Sequence, residues 1–241
     1  MCCVLTALFF DGDQTLWDFE TVMRRALRAT LTELRRRCPG PATERLTLDS
    51  MISDRQAAAA ELPGETNLER LRLAAFRRTV SRLGMGDTDL AEHLQAHYLR
   101  HRFGDIVLYP DTAPALTALS RTYALGLLSN GNSDPGAGGL AELFAALVFA
   151  QDHGVRKPDR RLFDIAADEI GADPAHVAMV GDSLDHDVAA AQAAGWRGIW
   201  LNRGDRARPT AYRPDGEVRT LADLPAVLAC LDGRQSGVEG R

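Results

Sequence analysis

The sequence predicts an α/β protein whose core is a Rossmann-like, doubly wound parallel sheet, with an α-helical domain inserted near the N-terminus. Short apolar runs typical of buried strands alternate with helical patterns in the second half of the chain. The interval from Leu16 to Val107, which separates the first apolar run from the next, is far longer than an ordinary connection between a strand and a helix. It therefore predicts a domain of its own.

Five apolar runs are the predicted strands. The first, Val4–Phe10, lies in an opening segment that lacks a basic start and is too short to span a bilayer, so we interpret it as a buried strand. The others are Tyr123–Leu128, Ala146–Ala150, Val177–Val180 and Gly198–Leu201. Helical patterns separate the last four runs, which favours parallel strands with helices on both faces of the sheet.

The inserted interval has the pattern of a helical bundle. Apolar side chains recur at helical spacing from Phe19 to Leu34 and again from Leu68 to Leu83. Two further helical stretches lie near Met51–Glu61 and Leu90–Arg102, and prolines and glycines mark the turns between them. We expect residues 16–106 to form a helical cap domain on the core.

The remaining residues belong to the predicted core and tail. Residues 1–15 and 107–232 are expected to form the core, which ends in a helix near Leu221–Leu231 after a loop rich in arginine, proline and glycine. Residues 233–241 are expected to be a disordered tail.

The composition limits the classes of partner that the sequence predicts. The 28 basic and 33 acidic residues give a net charge of -5, which predicts no binding of a nucleic acid polymer or of a membrane surface. The four cysteines show neither metal-binding spacing nor a disulfide framework, so we expect a cytoplasmic location. A small molecule is the expected partner, whereas the oligomeric state leaves no pattern in the sequence.

Two carboxylates follow the first predicted strand. Asp11 and Asp13 are close enough to repel each other, a cost that a bound cation or a proton on one of them would relieve. Either outcome suits catalysis, although the pair taken alone is equally typical of a turn. In open parallel sheets ligands bind at the carboxyl ends of the strands, so polar residues at the other strand ends are candidates for the same site.

Polar groups follow the other strands as well. Ser129 and Asn130 end the second strand and offer a hydroxyl and amide donors to an anion. Lys157, the only lysine in the chain, lies in a loop before a helix, and a compact ammonium suits contact with a phosphate. Asp182 and Asp187 follow the fourth strand. Because these acids are oxygen ligands without a Cys or His cluster, they indicate Mg²⁺ rather than zinc.

In this order the residues resemble the motifs of the haloacid dehalogenase superfamily. The pattern is an Asp-x-Asp segment, a Ser or Thr after a strand, a Lys, and an acidic motif of the form Gly-Asp-x-x-x-x-Asp. It covers roughly Val4–Thr15 and Val107–Leu201, and the insert resembles that superfamily's helical cap. Two positions depart from the usual motif: Gly12 replaces a larger apolar residue and Gln14 replaces the commoner glycine.

The resemblance implies a Mg²⁺-dependent phosphomonoesterase of small phosphorylated metabolites or nucleotides. Asp11 would be the nucleophile that forms an aspartyl-phosphate and Asp13 the general acid and base. Asp11, the Asp13 backbone carbonyl and Asp182 would hold Mg²⁺, with Asp187 supporting the metal or Lys157. Ser129, the Asn130 amide and Lys157 would bind the phosphoryl oxygens.

Several alternatives stay open or are disfavoured. A phosphomutase of the same superfamily and a catalytically silent binding scaffold remain, whereas Asp13 argues against a dehalogenase, which lacks that second aspartate.

Trp17 is expected either to pack between cap and core or to line the substrate entrance. His93, His97 and His101 share one face of a predicted helix, and we expect that face to be solvated rather than to bind zinc.

Overall fold

A parallel sheet organises the larger part of the molecule. The computed structural model describes residues 4–86, 88–103 and 106–233. The strands are β1 (Ala7–Phe10), β2 (Ala124–Ser129), β3 (Ala146–Phe149), β4 (Val177–Gly181), β5 (Arg197–Leu201) and β6 (Gly216–Val218). Within the described residues they form one sheet in the order β3-β2-β1-β4-β5-β6, and every neighbouring pair is parallel.

This topology confirms the predicted α/β fold class. Strands β1 to β5 correspond to the five predicted apolar runs. The runs are continuously apolar because helices cover both faces of the sheet, and the side chains of β1 are all buried. Strand β6 was not predicted, because it is three residues long and only Val218 in it is buried. The chain passes from one side of β1 to the other between β3 and β4. The carboxyl ends of β1, β2 and β4 therefore border the switch point where such sheets bind ligands.

Helices pack on the sheet through apolar faces. They are α6 (Thr112–Leu119), α7 (Ala150–His153), α8 (Arg160–Ile170), a π-helical segment (Leu184–Ala189) that continues as α9 (Ala190–Ala193), and α10 (Leu224–Leu231). Helix α8 buries Phe163, whose ring centroid lies 5.3 Å from that of Trp196. Trp196 in turn lies 5.1 Å from Phe9 of β1. This aromatic group fixes the helices against one face of the sheet.

The helical unit has a separate core. Its helices are α1 (Phe19–Arg37), α2 (Pro41–Arg45), α3 (Leu48–Glu61), α4 (Leu68–Arg82) and α5 (Thr88–Arg102). Asp18, Thr47 and Asn67 cap the N-termini of α1, α3 and α4 by accepting hydrogen bonds from backbone N–H groups. Leu34 and Leu94 are fully buried where α1 packs on α5. The amphipathic pattern of α1 therefore serves this unit's own interior.

The boundaries of the two units differ slightly from the predicted ones. One compact unit comprises Met1–Trp17 with Leu108–Arg241, and the other comprises Asp18–Val107. Leu16 and Trp17 thus belong with the sheet, where both are buried, rather than with the helices. The predicted tail 233–241 lies, apart from Gly233, outside the described residues. In the described part of the chain no helix combines the length and apolar character that a membrane crossing requires.

The histidine face of α5 is only partly the solvated surface that we expected. His93 Nε2 lies 2.9 Å from Glu33 Oε1 of α1, and His97 Nδ1 lies 3.5 Å from the Thr30 hydroxyl. Both imidazoles are half-buried, whereas His101 is exposed. The prediction was wrong for the first two because the same face of α5 packs against α1.

Candidate active site

Most of the sequence-predicted site residues converge at the carboxyl edge of the sheet. Asp11 follows β1, Ser129 ends β2 and Asp182 follows β4, and these three strands are adjacent. Lys157 enters from the loop between α7 and α8. Residues far apart in the sequence therefore meet because the strand order brings the three strand ends together.

Lys157 is the buried centre of this group. Its Nζ donates hydrogen bonds to Asp11 Oδ1 at 2.7 Å, to Asp187 Oδ1 at 2.6 Å and to the Leu128 carbonyl at 2.8 Å. Its side chain is 2% exposed. These three acceptors use all three ammonium protons. The ammonium is held as a point charge directly beside the carboxylate predicted to be the nucleophile.

Electrostatics distinguish the members of the group. Burial lowers the pKa of Lys157, but Asp11 and Asp187 offset this effect and raise it to about 12, so the side chain stays charged. Burial raises the pKa of Asp11 well above its usual range, in opposition to Lys157 and with help from Asp187. Burial and Asp187 also raise the pKa of Asp182 to about 6. Asp11 and Asp187 share the Lys157 ammonium, and Asp182 Oδ2 lies 3.8 Å from Arg206 Nη2. Three carboxylates thus face two cations, which leaves an excess of negative charge.

That excess charge fits a divalent cation. Asp11, Asp182 and Asp187 each offer a carboxylate oxygen, and these three oxygens lie within 4.8 Å of one another. Oxygen ligands of this kind are those that hard cations such as Mg²⁺ prefer. Ser183 N–H donates to Asp187 Oδ2 at 3.0 Å and fixes that carboxylate. A Cβ atom at Gly181 would lie 2.2 Å from the same oxygen, so the glycine before the acidic motif leaves the space that Asp187 occupies.

The turn after β2 is shaped by its polar side chains. Ser129 Oγ accepts a hydrogen bond from Gly131 N–H at 3.0 Å, and Ser129 is buried. The Asn130 side chain donates to the Lys157 carbonyl at 3.0 Å and accepts from Lys157 N–H at 2.8 Å. Asn130 therefore fixes the backbone that carries the ammonium. Because these contacts engage the side-chain amide of Asn130, the phosphate contact predicted for this residue falls to its backbone N–H.

Asp13 is held from two sides. Its Oδ1 accepts hydrogen bonds from Trp17 Nε1 at 2.7 Å and from the Ser133 hydroxyl at 3.1 Å. Trp17 is buried and belongs to the sheet unit. A Cβ atom at Gly12 would lie 2.4 Å from its ring. The small residue that departs from the usual motif is thus explained by the large indole that fills the same space.

The second departure from the motif is visible in the backbone. Gln14 has a φ of 65°, in the left-handed region that glycine adopts most readily. A non-glycine residue there costs about 1–2 kcal/mol. The turn keeps the conformation expected for the commoner glycine although its side chain is different.

Three supporting residues were not found by sequence reasoning. Arg203 pairs with Asp111 at 3.0 Å and donates to the Thr15 carbonyl at 2.9 Å, which ties the loop after β5 to the first motif. Trp200 Nε1 and Arg206 Nη2 both donate to the Asp182 carbonyl, at 3.1 and 2.7 Å. These residues lie outside the recognisable motifs. The arginine-rich loop after β5 was a signal for the two arginines, whereas Trp200 lies in β5 itself.

Comparison with known proteins places this geometry in context. A sequence profile described as haloacid dehalogenase-like hydrolase matches residues 5–195. A phosphoserine phosphatase from Thermus thermophilus is 36% identical over 156 residues, which span 62% of this chain and 61% of that protein. An N-acylneuraminate-9-phosphatase from Mus musculus is 25% identical over 239 residues, 95% of this chain and 96% of that protein. The match to the first relative thus covers less than two thirds of its length.

Solved structures share the fold along nearly the whole chain. A 2-haloacid dehalogenase from Pseudomonas syringae is 30% identical with a TM-score of 0.77, over 94% of this chain and 99% of that one. A magnesium-bound hydrolase from Bacillus subtilis is 23% identical with a TM-score of 0.74, over 93% and 99% of the two chains. The second likeness shows the fold alone. The relatives include both phosphatases and a dehalogenase, so the reaction has to be argued from the site.

Proposed function

The chain belongs to the haloacid dehalogenase-like hydrolase family, and from that premise we propose that it is a Mg²⁺-dependent phosphomonoesterase acting through an aspartyl-phosphate on Asp11. The proposed substrate is a small phosphorylated metabolite or nucleotide. The observation that carries the proposal is the pair of carboxylates after β1, one on Lys157 and the other held by Trp17 and Ser133.

The second carboxylate separates the two reactions found among the relatives. Breaking a carbon–halogen bond releases a halide, which needs no proton from the enzyme. Breaking a phosphate ester at neutral pH releases an alkoxide, which general-acid catalysis makes a much better leaving group. Asp13 supplies a carboxyl group two residues from Asp11, so the site supports phosphoryl transfer rather than dehalogenation.

In the first proposed step, a carboxylate oxygen of Asp11 attacks phosphorus in line with the ester oxygen. The P–O bond to the ester oxygen breaks, and Asp13 donates its proton to that oxygen, so an alcohol leaves. Lys157 keeps positive charge beside Asp11 throughout, because its raised pKa holds the ammonium protonated. The Ser129 hydroxyl and the Asn130 backbone N–H stabilise the phosphoryl oxygens.

In the second proposed step, water hydrolyses the aspartyl-phosphate. Asp13, now a carboxylate, takes a proton from the water as its oxygen attacks phosphorus, and the bond to the Asp11 oxygen breaks. Inorganic phosphate leaves, and Asp11 and Asp13 return to their starting states.

Mg²⁺ fits the acidic cluster and belongs to the same proposal. Asp11 and Asp182 would bind it with their carboxylates and Asp13 with its backbone carbonyl, while Asp187 supports Lys157. When bound, the cation supplies positive charge that offsets repulsion between an anionic nucleophile and an anionic substrate. The proximity of the Asp11, Asp182 and Asp187 carboxylate oxygens, within 4.8 Å of one another, supports this assignment.

The substrate proposal is limited to a chemical class. The relatives named above are phosphatases of phosphoserine and of an acylneuraminate phosphate, both small phosphate esters. Binding of nucleic acid polymers or membranes is not part of the proposal, and the cytoplasmic location stays a prediction from composition.

Phosphate release from a panel of esters tests the proposal. The panel contains p-nitrophenyl phosphate, phosphoserine, sugar phosphates and nucleoside monophosphates, each with Mg²⁺ and with EDTA. We expect Mg²⁺-dependent release by the wild-type protein and none by Asp11→Asn, with L-2-chloropropionate left intact. Isomerisation of a sugar phosphate in place of release would assign the phosphomutase alternative, and no turnover of any compound would favour a silent scaffold.

A further inference from the structure

Trp17 lies at the end of the first motif and makes a specific polar contact. Its Nε1 donates to Asp13 Oδ1 at 2.7 Å, a short hydrogen bond between two side chains four residues apart. The indole is 2% exposed and packs over Gly12, where no larger residue fits. Burial and packing restrict the ring to one position. The N–H group is consequently aimed at the carboxyl group by the fold and not by a mobile side chain.

A second donor completes the contact with the same oxygen. The Ser133 hydroxyl, also buried, donates to Asp13 Oδ1 at 3.1 Å from the loop after β2. A carboxyl oxygen that accepts two hydrogen bonds has both lone pairs engaged. When Asp13 carries a proton, that proton therefore resides on Oδ2.

The second oxygen, Oδ2, faces the turn that follows β2. A Cβ atom at Gly131 would lie 2.6 Å from Asp13 Oδ2 and 3.3 Å from Ser129 Oγ. Oδ2 is thus directed towards the same turn whose hydroxyl is assigned to the phosphoryl group. Rotating the carboxyl group out of this orientation would break both hydrogen bonds, and exchanging the two oxygens of the protonated form would turn its O–H group towards the two donors and away from this turn.

We propose that Trp17 is a positioning residue for the general-acid step: together with Ser133 it holds Oδ1 of Asp13, so that Oδ2 presents its proton to the departing ester oxygen. This inference rests on the proposed phosphomonoesterase function. In the step concerned, the O–H bond at Oδ2 breaks, a new O–H bond forms on the leaving oxygen, and the P–O bond to that oxygen breaks.

Leaving-group chemistry distinguishes positioning from a merely structural role. p-Nitrophenyl phosphate releases a stable phenolate that needs little protonation, whereas p-nitrobenzyl phosphate, of similar shape, releases an alkoxide that needs a proton. The ratio kcat/KM covers only the steps up to release of the first product, so it reports the general-acid step separately from hydrolysis of the aspartyl-phosphate. A misplaced Asp13 must lower kcat/KM more for the benzyl ester.

The experiment compares Trp17→Phe, Ser133→Ala and the double variant with wild type on both esters in Mg²⁺. General-acid catalysis contributes about 10²–10⁴-fold, and each single variant removes one of the two donors to Asp13. We therefore expect Trp17→Phe to lose on the order of ten- to a hundredfold in kcat/KM on the benzyl ester and less than about threefold on the phenyl ester. The double variant should lose more kcat/KM than either single variant on the benzyl ester, but not on the phenyl ester.

Two further proteins control for packing. Trp196→Phe removes a buried indole of the same unit whose Nε1 has no hydrogen-bond partner among the described residues. This variant should change kcat/KM by the same factor for both esters. Replacement of Trp17 by β-(3-benzothienyl)alanine keeps the bicyclic shape and removes the N–H group. It decides the matter if Trp17→Phe fails to fold, and we expect it to reproduce the selective loss on the benzyl ester.

Each outcome has one consequence. An equal loss on both esters in Trp17→Phe, or an unchanged ratio of kcat/KM between the esters in the benzothienyl protein, would overturn the positioning role while leaving the phosphatase assignment intact. Absence of Mg²⁺-dependent turnover of either ester by the wild-type protein would instead overturn the proposed function, and the inference with it.

Discussion

Replacing Lys157 by methionine tests whether the buried ammonium holds the site together. The substitution keeps most of the side-chain volume but removes the charge that contacts Asp11 at 2.7 Å and Asp187 at 2.6 Å. Removing one partner of a buried ion pair costs about 3–5 kcal/mol, because the remaining charge is left buried without its counterion. In a chain of this size each kcal/mol lowers Tm by about 2–4 °C, so a fall of about 6–20 °C is expected.

Thermal unfolding followed by circular dichroism, in EDTA and then in Mg²⁺, measures this cost. The control Arg156→Met removes an exposed cation from the neighbouring position and should change stability by no more than about 0.5 kcal/mol. Mg²⁺ should restore part of the loss in Lys157→Met, since the cation fits the same carboxylates. A loss below about 1 kcal/mol, or one equal to that of the control, would refute the reasoning.

The same variant has a predictable pH dependence. Burial raises the pKa of Asp11 in the folded protein, so protonation of this group favours the folded state at low pH and the advantage is lost as pH rises through the raised pKa. Lys157 opposes this rise, so its removal should raise the pKa of Asp11 further. The loss in free energy of unfolding caused by Lys157→Met should therefore be smaller at about pH 5 than at about pH 7.5, two values above the ordinary pKa of a carboxyl group. A deficit that grows on acidification would contradict this sign.

Three further predictions concern other parts of the molecule. Gly181→Ala should lower stability by about 1–3 kcal/mol and remove most phosphatase activity, because its Cβ meets the Asp187 carboxylate, whereas Gly40→Ala meets nothing and should be neutral in both assays. Asp182→Asn should raise the Mg²⁺ concentration for half-maximal activity by on the order of tenfold or more, and an unchanged Mg²⁺ titration would remove Asp182 from the metal site. Arginine and histidine side chains donate hydrogen bonds to Glu33 and lower its pKa in the folded protein. The Glu33 carboxylate therefore stabilises the folded state above its unfolded pKa of about 4.3, and this stabilisation is lost as the pH falls towards the folded pKa. Urea unfolding of Glu33→Gln should accordingly show a deficit at neutral pH that disappears in acid, and a deficit independent of pH would contradict the pairing.

Sequence patterns predicted the parts of this fold that depend on local periodicity. Strands buried on both faces produce the apolar runs that ended at Asp11, Ser129 and Asp182, and their parallel arrangement explains why these ends form one edge. Strand β6 escaped prediction because only one of its three residues, Val218, is buried. Within the described residues it lies at the edge of the sheet, where it pairs with β5 alone. Short edge strands of this kind carry little hydrophobic signal.

The contacts within the site depend on tertiary structure and left weaker signals. The pairing of Lys157 with Asp11 joins residues 146 positions apart, so the sequence indicated a phosphate contact but not the direct ion pair. Trp17 was expected either to pack between cap and core or to line the substrate entrance, and both stay predictions. The sequence did not indicate that it packs over Gly12 and donates to Asp13. The glycine and the tryptophan are complementary in volume, a relation visible only once the turn between them is known.

The most direct test of the central claim is chemical identification of the phosphorylated residue. Asp13→Asn should slow hydrolysis of the intermediate, so brief reaction of this variant with p-nitrophenyl phosphate and Mg²⁺, followed by acid quench and borohydride reduction, should convert the phosphorylated aspartate to homoserine. Mass spectrometry of the peptides is predicted to find homoserine at position 11 and nowhere else. Phosphate on Ser129 or another residue, or phosphate release with no modified aspartate, would contradict the assignment of Asp11 as the nucleophile.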